Sequence, residues 1–427
     1  MKYRLGDICS ITKGDTGIMK AIPGPYTMVT LGDTNKTHNE YQFDADAVII
    51  PLVSSTGHGH ASMRQVKYQE GKFALGNILC AVIPNDDNFV LAKYLQIYLH
   101  LYRNELLVSQ MKGMANVSLP MNRIADVQVE IPDIEKQRKI VEIEKKVTQN
   151  SVKLHQLFFE QKGLTSKLKQ TILQNALQGK LTAEWRKEHP AEEPASELLK
   201  RIKLEKQQMI ASGKLKKEKP LEPIKPEEIP FEIPEKWTWG RWGELSESIQ
   251  YGYNAPAQEN GRILMIRISD IQNNTIIWDK VPYCQIPENE INNYLIKKND
   301  ILFARTGGTV GKSYLVTDEP RSAIYAGYLI RTRYSSSLEP KFLKSFMESE
   351  LYWSQLTNGT RGAAQPNCNG QTLSKMILPI PPLSEQQEIV RRIDAIMNTV
   401  NSLENQISES ERTSEELLKA IVGEVMG

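Results

Sequence analysis

The 427-residue sequence is poor in the residues that disulfide frameworks, metal sites and membrane spans require. Its four cysteines, Cys9, Cys80, Cys284 and Cys368, are far apart and form no C-x-x-C pair, so neither a zinc site nor a disulfide framework is predicted. No apolar run approaches the roughly eighteen residues that a spanning helix needs. The sequence also begins without a signal-like apolar segment, so we expect a cytoplasmic protein with no membrane partner.

An excess of charge of one sign is also lacking, because 53 basic residues nearly balance 51 acidic ones and leave a net charge of +2. The net charge therefore says nothing about nucleic acid, but the charges are unevenly distributed. Residues 132–180 contain ten basic and five acidic residues, whereas residues 382–427 contain four basic and nine acidic ones. Two segments of opposite sign are candidates for pairing with each other.

Catalytic motifs are missing as well. Residues 307–313 resemble a phosphate-binding loop, but Thr306 stands where the motif needs glycine, and a strand-like run follows instead of a helix. This glycine-rich turn suits the phosphates or bases of DNA better than a nucleotide. His58 and His60 have no third and fourth metal ligand nearby, which favours a polar loop over a metal site.

The remaining catalytic patterns fail for similar reasons. Asp133 and Glu144 imitate part of a metal-nuclease motif, but they fall at the start of a helical pattern, where carboxylates cannot converge from adjacent strands. Six scattered histidines provide no Ser/His/Asp set, and no motif for a methyl-donor cofactor or for holding a target base is present. We therefore expect a binding protein with no catalytic residue, no metal and no cofactor.

An internal repeat is the most informative feature that the sequence does contain. The segment IPDIEKQ at 131–137 recurs 249 residues later as IPPLSEQ at 380–386. Residues 28–33 match 265–270 at a different offset, 237. Changing offsets indicate two homologous halves whose loops differ in length. Because the repeat is long and occurs only twice, it favours paired domains over a solenoid.

The repeat divides the chain into five segments. Two homologous globular domains are predicted at 1–131 and 236–381. Each is followed by a long helix, at 132–182 and 382–427. Between the halves, residues 183–235 are predicted to hold a short helix and a linker rich in proline, lysine and glutamate, a composition that cannot pack a core.

Both globular domains are predicted to belong to the α+β class. Short β-rich runs alternate with turns rich in glycine, asparagine and aspartate, which is typical of strands in a strongly bent sheet. Each domain also has one helical pattern late in its sequence, at 91–107 and at 340–356.

The two long helical segments carry apolar residues in matching heptad frames, which is a coiled-coil signal. Two separate amphipathic helices lying on globular cores would give a similar pattern. The matching lengths and opposite charges favour pairing. The predicted seam and partner-docking positions are Ile140, Val147, Leu154, Leu157, Leu164 and Leu168 in the first helix and Ile389, Ile396, Val400, Leu403, Ile407 and Leu417 in the second.

Several segments resemble the specificity subunit of type I restriction–modification enzymes. The sequence IPPLSEQQEIV at 380–390 resembles that family's entry to its helical spacer, and LQNALQGKLT at 173–182 resembles the spacer's exit. Residues 193–202 and 233–237 resemble the stretch before the second recognition domain. The resemblance covers nearly the whole chain, and the combination in this order is highly specific.

The resemblance implies two target-recognition domains separated by an antiparallel coiled coil of the two long helices. Each domain would read one half of an interrupted double-stranded DNA sequence. The subunit would dock two methyltransferase (modification) subunits and, through them, restriction (motor-nuclease) subunits, and would do no chemistry itself. The first copy departs from the family pattern, because Asp133 replaces a proline and Lys136 an acidic residue.

Polar, glycine-rich turns after equivalent β-rich runs are the predicted DNA contacts, although solvated turns would look the same. The predicted contact residues are Ser54, Ser55, His58, His60 and Arg64 in the first domain and Arg305, Thr306, Lys312, Arg361 and Asn367 in the second.

Two other function classes are open at this point. The alternative is a coiled-coil scaffold whose globular ends bind proteins, and such a scaffold would lack the salt-dependent duplex affinity of a DNA reader. A self-sufficient methyltransferase is disfavoured by the missing motifs.

Overall fold

The computed structural model describes residues 1–56, 60–113, 116–190, 192–272, 274–317, 320–360 and 368–426. It contains two compact units. The first unit comprises Met1–Glu160 with Ile407–Gly427, and the second comprises Gln161–Gln406. Two helices of 44 residues each contribute to both units, and we call Ile134–Leu177 the first long helix and Leu383–Met426 the second long helix.

The first unit contains two four-stranded sheets in place of the single bent sheet that the sequence suggests. One sheet has the strand order Cys9–Lys13, Leu79–Pro84, Ala47–Pro51, Lys67–Gln69, and the other has the order Lys36–His38, Tyr26–Val29, Lys72–Leu75, Phe43–Asp44. A separate antiparallel pair joins Lys2–Arg4 to Gln128–Glu130. The short helices are Leu5–Ile8, Ala92–Leu101, Arg103–Leu106 and Met121–Ala125, with 3-10 turns at Ile18–Lys20 and Val108–Gln110.

The second unit repeats this plan. Its four-stranded sheet has the order Ser246–Tyr251, Leu329–Tyr334, Ile301–Ala304, Ser313–Leu315, and a three-stranded sheet has the order Tyr283–Cys284, Ile263–Ile266, Ala323–Tyr325. Two antiparallel pairs join Thr238–Arg241 to Ile377–Ile380 and Ile271–Gln272 to Thr275–Ile276. The shorter helices are Ala183–Glu188, Ala195–Ala211, Trp242–Leu245, Glu288–Tyr294, Pro340–Glu348, Glu350–Thr360 and Gly370–Lys375, with 3-10 turns at Pro226–Glu228, Ile268–Asp270, Trp278–Lys280 and Gly307–Thr309.

A close backbone crossing recurs in both units. A Cβ atom on Gly14 would lie 2.3 Å from the carbonyl oxygen of Gly76, and a Cβ atom on Gly252 would lie 2.2 Å from that of Ala326. Both glycines come directly after the first strand of their four-stranded sheet. Only glycine allows the chain to approach this closely. The duplication inferred from sequence is therefore also present in the backbone.

The late helix of each globular domain is shorter than predicted, because each pattern is broken in the middle. In the second unit the break falls at Ser349, whose backbone is extended. Its hydroxyl accepts a hydrogen bond from the N–H of Tyr352 at 3.3 Å and so caps the next helix. In the first unit the helix is interrupted at Tyr102, whose backbone leaves the helical region.

The linker between the halves is held to the second unit, contrary to the expectation that it cannot pack. The guanidinium of Arg241 donates hydrogen bonds to the carbonyl oxygens of Glu222 and Pro223 and to the carboxylate of Glu228, the last at 2.8 Å. This carboxylate keeps a pKa below its usual range, mainly because Arg241 donates to it. Further along, Phe231 packs against the core of the unit. One buried arginine therefore organises a proline-rich segment that has little core of its own.

The two long helices run antiparallel in the second unit. Lys169 Nζ lies 2.7 Å from Glu404 Oε2. Twelve residues later in the chain, just beyond the first long helix, the carbonyl of Leu181 accepts a hydrogen bond of 2.9 Å from Arg392, which precedes Glu404 by twelve residues. Higher residue numbers on one helix thus contact lower residue numbers on the other, which defines antiparallel pairing, as the sequence predicts.

The same direction holds in the first unit. His155 Nε2 lies 3.1 Å from Glu415 Oε1. Val141, near the start of the first long helix, packs on the same core cluster as Val422 and Val425, near the end of the second. The predicted α+β class with an antiparallel pair of long helices is confirmed. Among the described helices, none is long and apolar enough to cross a membrane.

Candidate nucleic-acid interface

Arg305 lies at the end of a buried strand in the second unit and is fixed by three separate parts of the chain. Its N–H donates to the carbonyl of Tyr328 at 3.1 Å, and its own carbonyl accepts from the N–H of Cys368 at 3.0 Å. Its guanidinium carbon lies 4.7 Å from the centre of the Tyr251 ring, which is a cation–π contact. The Tyr251 hydroxyl in turn accepts a hydrogen bond of 3.0 Å from the N–H of Gly370.

Among the described residues, no carboxylate neutralises the charge of Arg305. Within the described part of the chain, its guanidinium makes no ion pair and its buried Nε has no hydrogen-bond partner. Other arginines of the second unit differ, since Arg262 pairs with Glu288 and Arg267 with Asp270. A fixed guanidinium without a protein acceptor is available to an external acceptor, such as a phosphate or a base edge.

The turn that follows Arg305 has a defined backbone. Gly311 has a φ of +91°, and a Cβ atom there would lie 2.4 Å from Leu356 Cδ2, so glycine is required twice over. Tyr352 donates a hydrogen bond of 2.8 Å to the Gly311 carbonyl from below the turn. A buried tyrosine therefore supports the segment from which Thr306 and Lys312 project.

Thr306 and Lys312, both predicted contacts, flank the 3-10 turn Gly307–Thr309. Thr306 precedes the turn in an extended conformation and is half-buried, whereas the side chain of Lys312 is exposed. The strand Ser313–Leu315 follows directly, as predicted. A phosphate-binding loop needs a helix at this point, so the nucleotide interpretation is excluded here.

Three of the predicted contact residues, His58, Arg361 and Asn367, lie outside the described residues. Cys368 and Gly370 follow Asn367 closely in the sequence. The N–H of Cys368 is hydrogen-bonded to Arg305, and the N–H of Gly370 to Tyr251. Cys368 and Gly370 therefore both belong to the surroundings of Arg305.

The first-unit candidates are mostly engaged with one another. Ser54 Oγ donates to the carbonyl of His60 at 2.6 Å and lies 3.3 Å from Ser62 Oγ. Ser55 Oγ accepts a hydrogen bond of 3.1 Å from the N–H of Arg64. The side chains of His60 and Arg64 are exposed, whereas the hydroxyls of Ser54 and Ser55 are hydrogen-bonded to the backbones of these two residues. The serines therefore shape this surface, and His60 and Arg64 are the groups left to face a ligand.

Arg64 and Lys67 hold the loop at residues 30–33 of the first unit. Arg64 Nη1 lies 2.9 Å from Asp33 Oδ2, with both side chains exposed. Lys67, which sequence reasoning missed, donates through Nζ to the carbonyls of Thr30, at 2.8 Å, and Gly32. Partial burial lowers the pKa of Lys67. Lys67 tethers this loop, and pairing with Asp33 offsets part of the positive charge that Arg64 presents to a phosphate.

The glutamine of the first repeat copy explains why this motif recurs. Gln137 is completely buried. Its Oε1 accepts the N–H of Leu91 at 2.9 Å, and its Nε2 donates to the carbonyls of Phe89 and Pro132, both at 2.9 Å. Leu91 is the N-cap of the helix Ala92–Leu101, so the glutamine satisfies a donor that the helix leaves open.

The second copy repeats this arrangement. Gln386 is also completely buried, and its Oε1 accepts the N–H of Glu339 at 3.0 Å. Glu339 is the N-cap of the helix Pro340–Glu348. The Nε2 of Gln386 donates to the carbonyl of Pro381 at 2.9 Å. In each unit, one glutamine thus ties the start of a long helix to the globular domain.

The predicted seam of the long helices is only partly buried. Ile140, Ile389, Val400 and Ile407 are buried, and Val147, Leu154 and Ile396 are half-buried. The remaining predicted positions are exposed, so the apolar seam is not continuous: Leu157, Leu164, Leu168, Leu403 and Leu417. Val152 and Phe159, outside the predicted frame, are exposed too.

Metal chemistry finds no support in this part of the molecule. Among the described residues, no group of three or more histidine, cysteine, aspartate or glutamate side chains could hold a metal ion.

A family model for the type I restriction modification DNA specificity domain matches residues 1–157 and 234–410. The chain belongs to this family. The two matched segments contain the two copies of the repeated fold, including Gln137 and Gln386.

Several curated type I specificity subunits are similar to this chain. The specificity subunit of the type I restriction enzyme EcoAI from Escherichia coli is 32% identical over 60% of this chain and 43% of its own length. That of EcoEI, from the same species, is 28% identical over 64% of this chain and 48% of its own. The chain thus spans less than half the length of these two relatives.

Solved structures agree with the family at the level of fold. The HsdS subunit from Thermoanaerobacter tengcongensis aligns with a TM-score of 0.53 and 16% identity, over 100% of this chain and 96% of that one. A chain from a structure on complex assembly and conformational transition of the type I R-M system aligns with a TM-score of 0.66, 16% identity, and coverage of 100% and 97%.

The acidic residue of the specificity-family motif has a structural task in the second copy. Glu385 is buried, and its Oε1 accepts hydrogen bonds from Thr182 at 2.6 Å and Arg186 at 2.5 Å. Its Oε2 accepts the indole N–H of Trp237 at 2.7 Å. Lys136 occupies the equivalent position in the first copy and is exposed.

Proposed function

We propose that this chain is the sequence-specific DNA-binding specificity subunit of a type I restriction–modification complex. Residues 1–131 would read one half of an interrupted DNA target and residues 236–381 the other. The observation that carries this proposal is that both units contain a four-stranded sheet of the same strand order. The side chains in the loops at equivalent ends of these sheets differ between the two units. The same frame presented twice with different surfaces suits a target whose two halves differ.

The energetics of DNA recognition favour such a duplicated reader. One mismatched base pair costs about 1–3 kcal/mol, so a single short half-site gives limited discrimination against a genome of competing sites. Two domains in one chain combine their discrimination. Phosphate contacts from lysine and arginine would position each domain, while side chains at the sheet edge would read the bases.

The chain would supply recognition and docking, and the bound subunits would supply the chemistry. We propose that two methyltransferase subunits dock on it and that restriction subunits join through them. Support comes from large apolar side chains that remain exposed on the long helices, among them Phe159, with 79% of its surface accessible, and Leu164. Large apolar side chains that stay exposed are available for burial by a partner, and a contiguous group of them marks an interaction surface.

The same exposed side chains favour the second candidate, a scaffold that binds proteins and has no DNA specificity. The two functions differ in their response to salt. A DNA reader that neutralises several phosphates loses duplex affinity steeply as salt rises, and a scaffold has no duplex affinity at any salt concentration.

Two measurements test the proposal. Duplex binding by the full chain should be sequence-dependent and should fall linearly with salt on logarithmic axes. Exchanging the first globular domain for that of a relative should then change one half of the preferred sequence and leave the other half unchanged. Sequence-independent binding, or a change in both halves, would reject the division of labour.

A further inference from the structure

We infer that Arg305, stacked on Tyr251, reads a guanine in the half-site bound by the second unit. This inference rests on the proposed DNA-binding function and adds to it a residue and a base. It starts from geometry: the backbone of Arg305 is hydrogen-bonded on both sides, and its guanidinium lies 4.7 Å from the Tyr251 ring centre. Such an arginine approaches a ligand in one orientation and loses little conformational freedom on binding.

The guanidinium nitrogens that remain available to a ligand determine which ligand fits. Nε is buried without a partner among the described residues, so the two terminal nitrogens are the part of the fork left for a ligand. Two parallel donors match the O6 and N7 acceptors that guanine presents in the major groove, which is the commonest specific contact of arginine with DNA. Adenine presents a donor beside N7 and therefore fits this fork poorly.

The surroundings of Arg305 support a base contact over a simple charge contact. Lys312, seven residues later, is exposed and bears a flexible ammonium that suits a phosphate. Tyr328, whose carbonyl holds the Arg305 backbone, exposes 64% of its surface at the same edge of the sheet. A fixed guanidinium beside an aromatic ring can distinguish one base edge from another by shape. A phosphate contact requires only a positive charge.

The first unit shows that the site is not a requirement of the fold. Leu52 makes the equivalent main-chain hydrogen bonds, with the carbonyl of Ile78 and the N–H of Leu119, both at 2.9 Å. Its side chain is apolar and buried. Lys13, which ends the strand equivalent to Ser246–Tyr251, takes the place of Tyr251. The stacked pair therefore belongs to the second unit alone, and guanine reading by it should be confined to one half-site.

The test uses the full chain and duplexes recovered by binding selection from a randomised pool. Exchange of the first globular domain identifies the half-site bound by the second unit, because that half-site stays unchanged. Each guanine of this half-site is then replaced in turn by 7-deazaguanine, which lacks N7. At one position this replacement should weaken wild-type binding about tenfold or more, in the range of a lost bidentate contact. In Arg305→Ala the same replacement should have no effect.

Two further variants separate fork geometry from charge and from folding. Arg305→Lys keeps the charge and should keep non-specific duplex affinity while losing the preference for that guanine. Tyr251→Phe keeps the ring and should retain the preference, whereas Tyr251→Leu should reduce it without changing the other half-site.

The outcomes distinguish failure of the inference from failure of the proposed function. If Arg305→Lys keeps the full guanine preference, or Arg305→Ala weakens all duplexes equally, the base contact is rejected while DNA recognition stands. If the wild-type chain selects no sequence from the pool, the proposed function and the inference both fail.

Discussion

The indole N–H of Trp237 donates a hydrogen bond of 2.7 Å to Oε2 of Glu385, and both side chains are buried. The other carboxylate oxygen accepts from Thr182 and Arg186. One carboxylate at the start of the second long helix thus joins the turn beyond the first long helix to the entry of the second globular domain. The two oxygens of this carboxylate together bring three segments of the second unit into contact.

We predict that Glu385→Ala destabilises the second unit by about 3 kcal/mol. Removing one partner of a buried ion pair leaves the others without compensation, and this costs about 3–5 kcal/mol when both groups are fully buried. Arg186 is partly exposed, which places the expected loss at the lower end. Urea unfolding of the full chain measures the shift of the corresponding transition. Lys136→Ala, at the equivalent exposed position of the first copy, is the matched control and should change stability by less than about 0.5 kcal/mol. Equal effects of the two variants would contradict the role assigned to Glu385.

Gln386→Ala should cost about 1–3 kcal/mol, because it leaves the partly buried N–H of Glu339 without an acceptor at the start of a helix. The neighbouring Gln387 is exposed, so Gln387→Ala controls for removal of a glutamine side chain from the same helix. Denaturant unfolding of both variants gives the comparison, and hydrogen exchange at the start of Pro340–Glu348 should rise in Gln386→Ala alone. Unchanged exchange at that helix would argue against the capping role.

The pair of His155 and Glu415 should make stability depend on pH. The hydrogen bond that His155 donates to the carboxylate of Glu415 raises the pKa of His155 above its ordinary value of 6.5. Because the folded-state pKa is the higher one, the stabilisation is fully present below pH 6.5 and is lost as pH rises through the raised value. Wild-type chain should therefore be more stable than His155→Gln at pH 6, with the difference vanishing near pH 9. Denaturant unfolding at both pH values measures this, and a pH-independent difference would mean that the charge of His155 is not involved.

Lys312→Ala should weaken binding to all duplexes by the same factor and reduce the salt slope by about one. This prediction follows from the exposure of Lys312 beside the fixed turn. Binding isotherms on the selected target and on an unrelated duplex, each at several salt concentrations, provide the measurement. Lys312→Arg preserves the charge and should bind nearly as the wild type does. A loss confined to the selected target would reassign Lys312 to base reading.

The duplication and the class of the fold could be predicted because they leave periodic and repeated traces in the sequence. Glycines at equivalent crossings, the two IP-x-x-x-x-Q segments and the heptad frames all impose local residue choices. The pairing of the two long helices followed from their opposite charges, and its antiparallel direction was implied by the resemblance to specificity subunits. Lys169 with Glu404 is one such contact.

The parts that could not be predicted depend on contacts between residues far apart in the chain. The partners of Gln137 lie up to 48 residues away, so the role of the repeated glutamine was invisible although its recurrence was plain. Tyr251 was missed for the same reason, since only the folded sheet brings it under Arg305. The proline-rich linker looked unpacked because its anchor, Arg241, lies outside it in sequence. Several heptad positions are exposed, because the residues that cover a helix position come from distant parts of the chain, which a local period does not show.

The buried glutamines also define where recognition segments can be exchanged between relatives. Within the described part of the chain, the side chain of Gln137 is hydrogen-bonded to residues 89, 91 and 132 and to no others. A recombination junction between 132 and 137 would take the glutamine from one parent and its main-chain partners from the other. A junction after 137 carries the glutamine and its hydrogen-bond partners together. The first turn of the long helix is therefore part of the transferable cassette, and natural or engineered crossovers that create new DNA specificities should fall downstream of the glutamine.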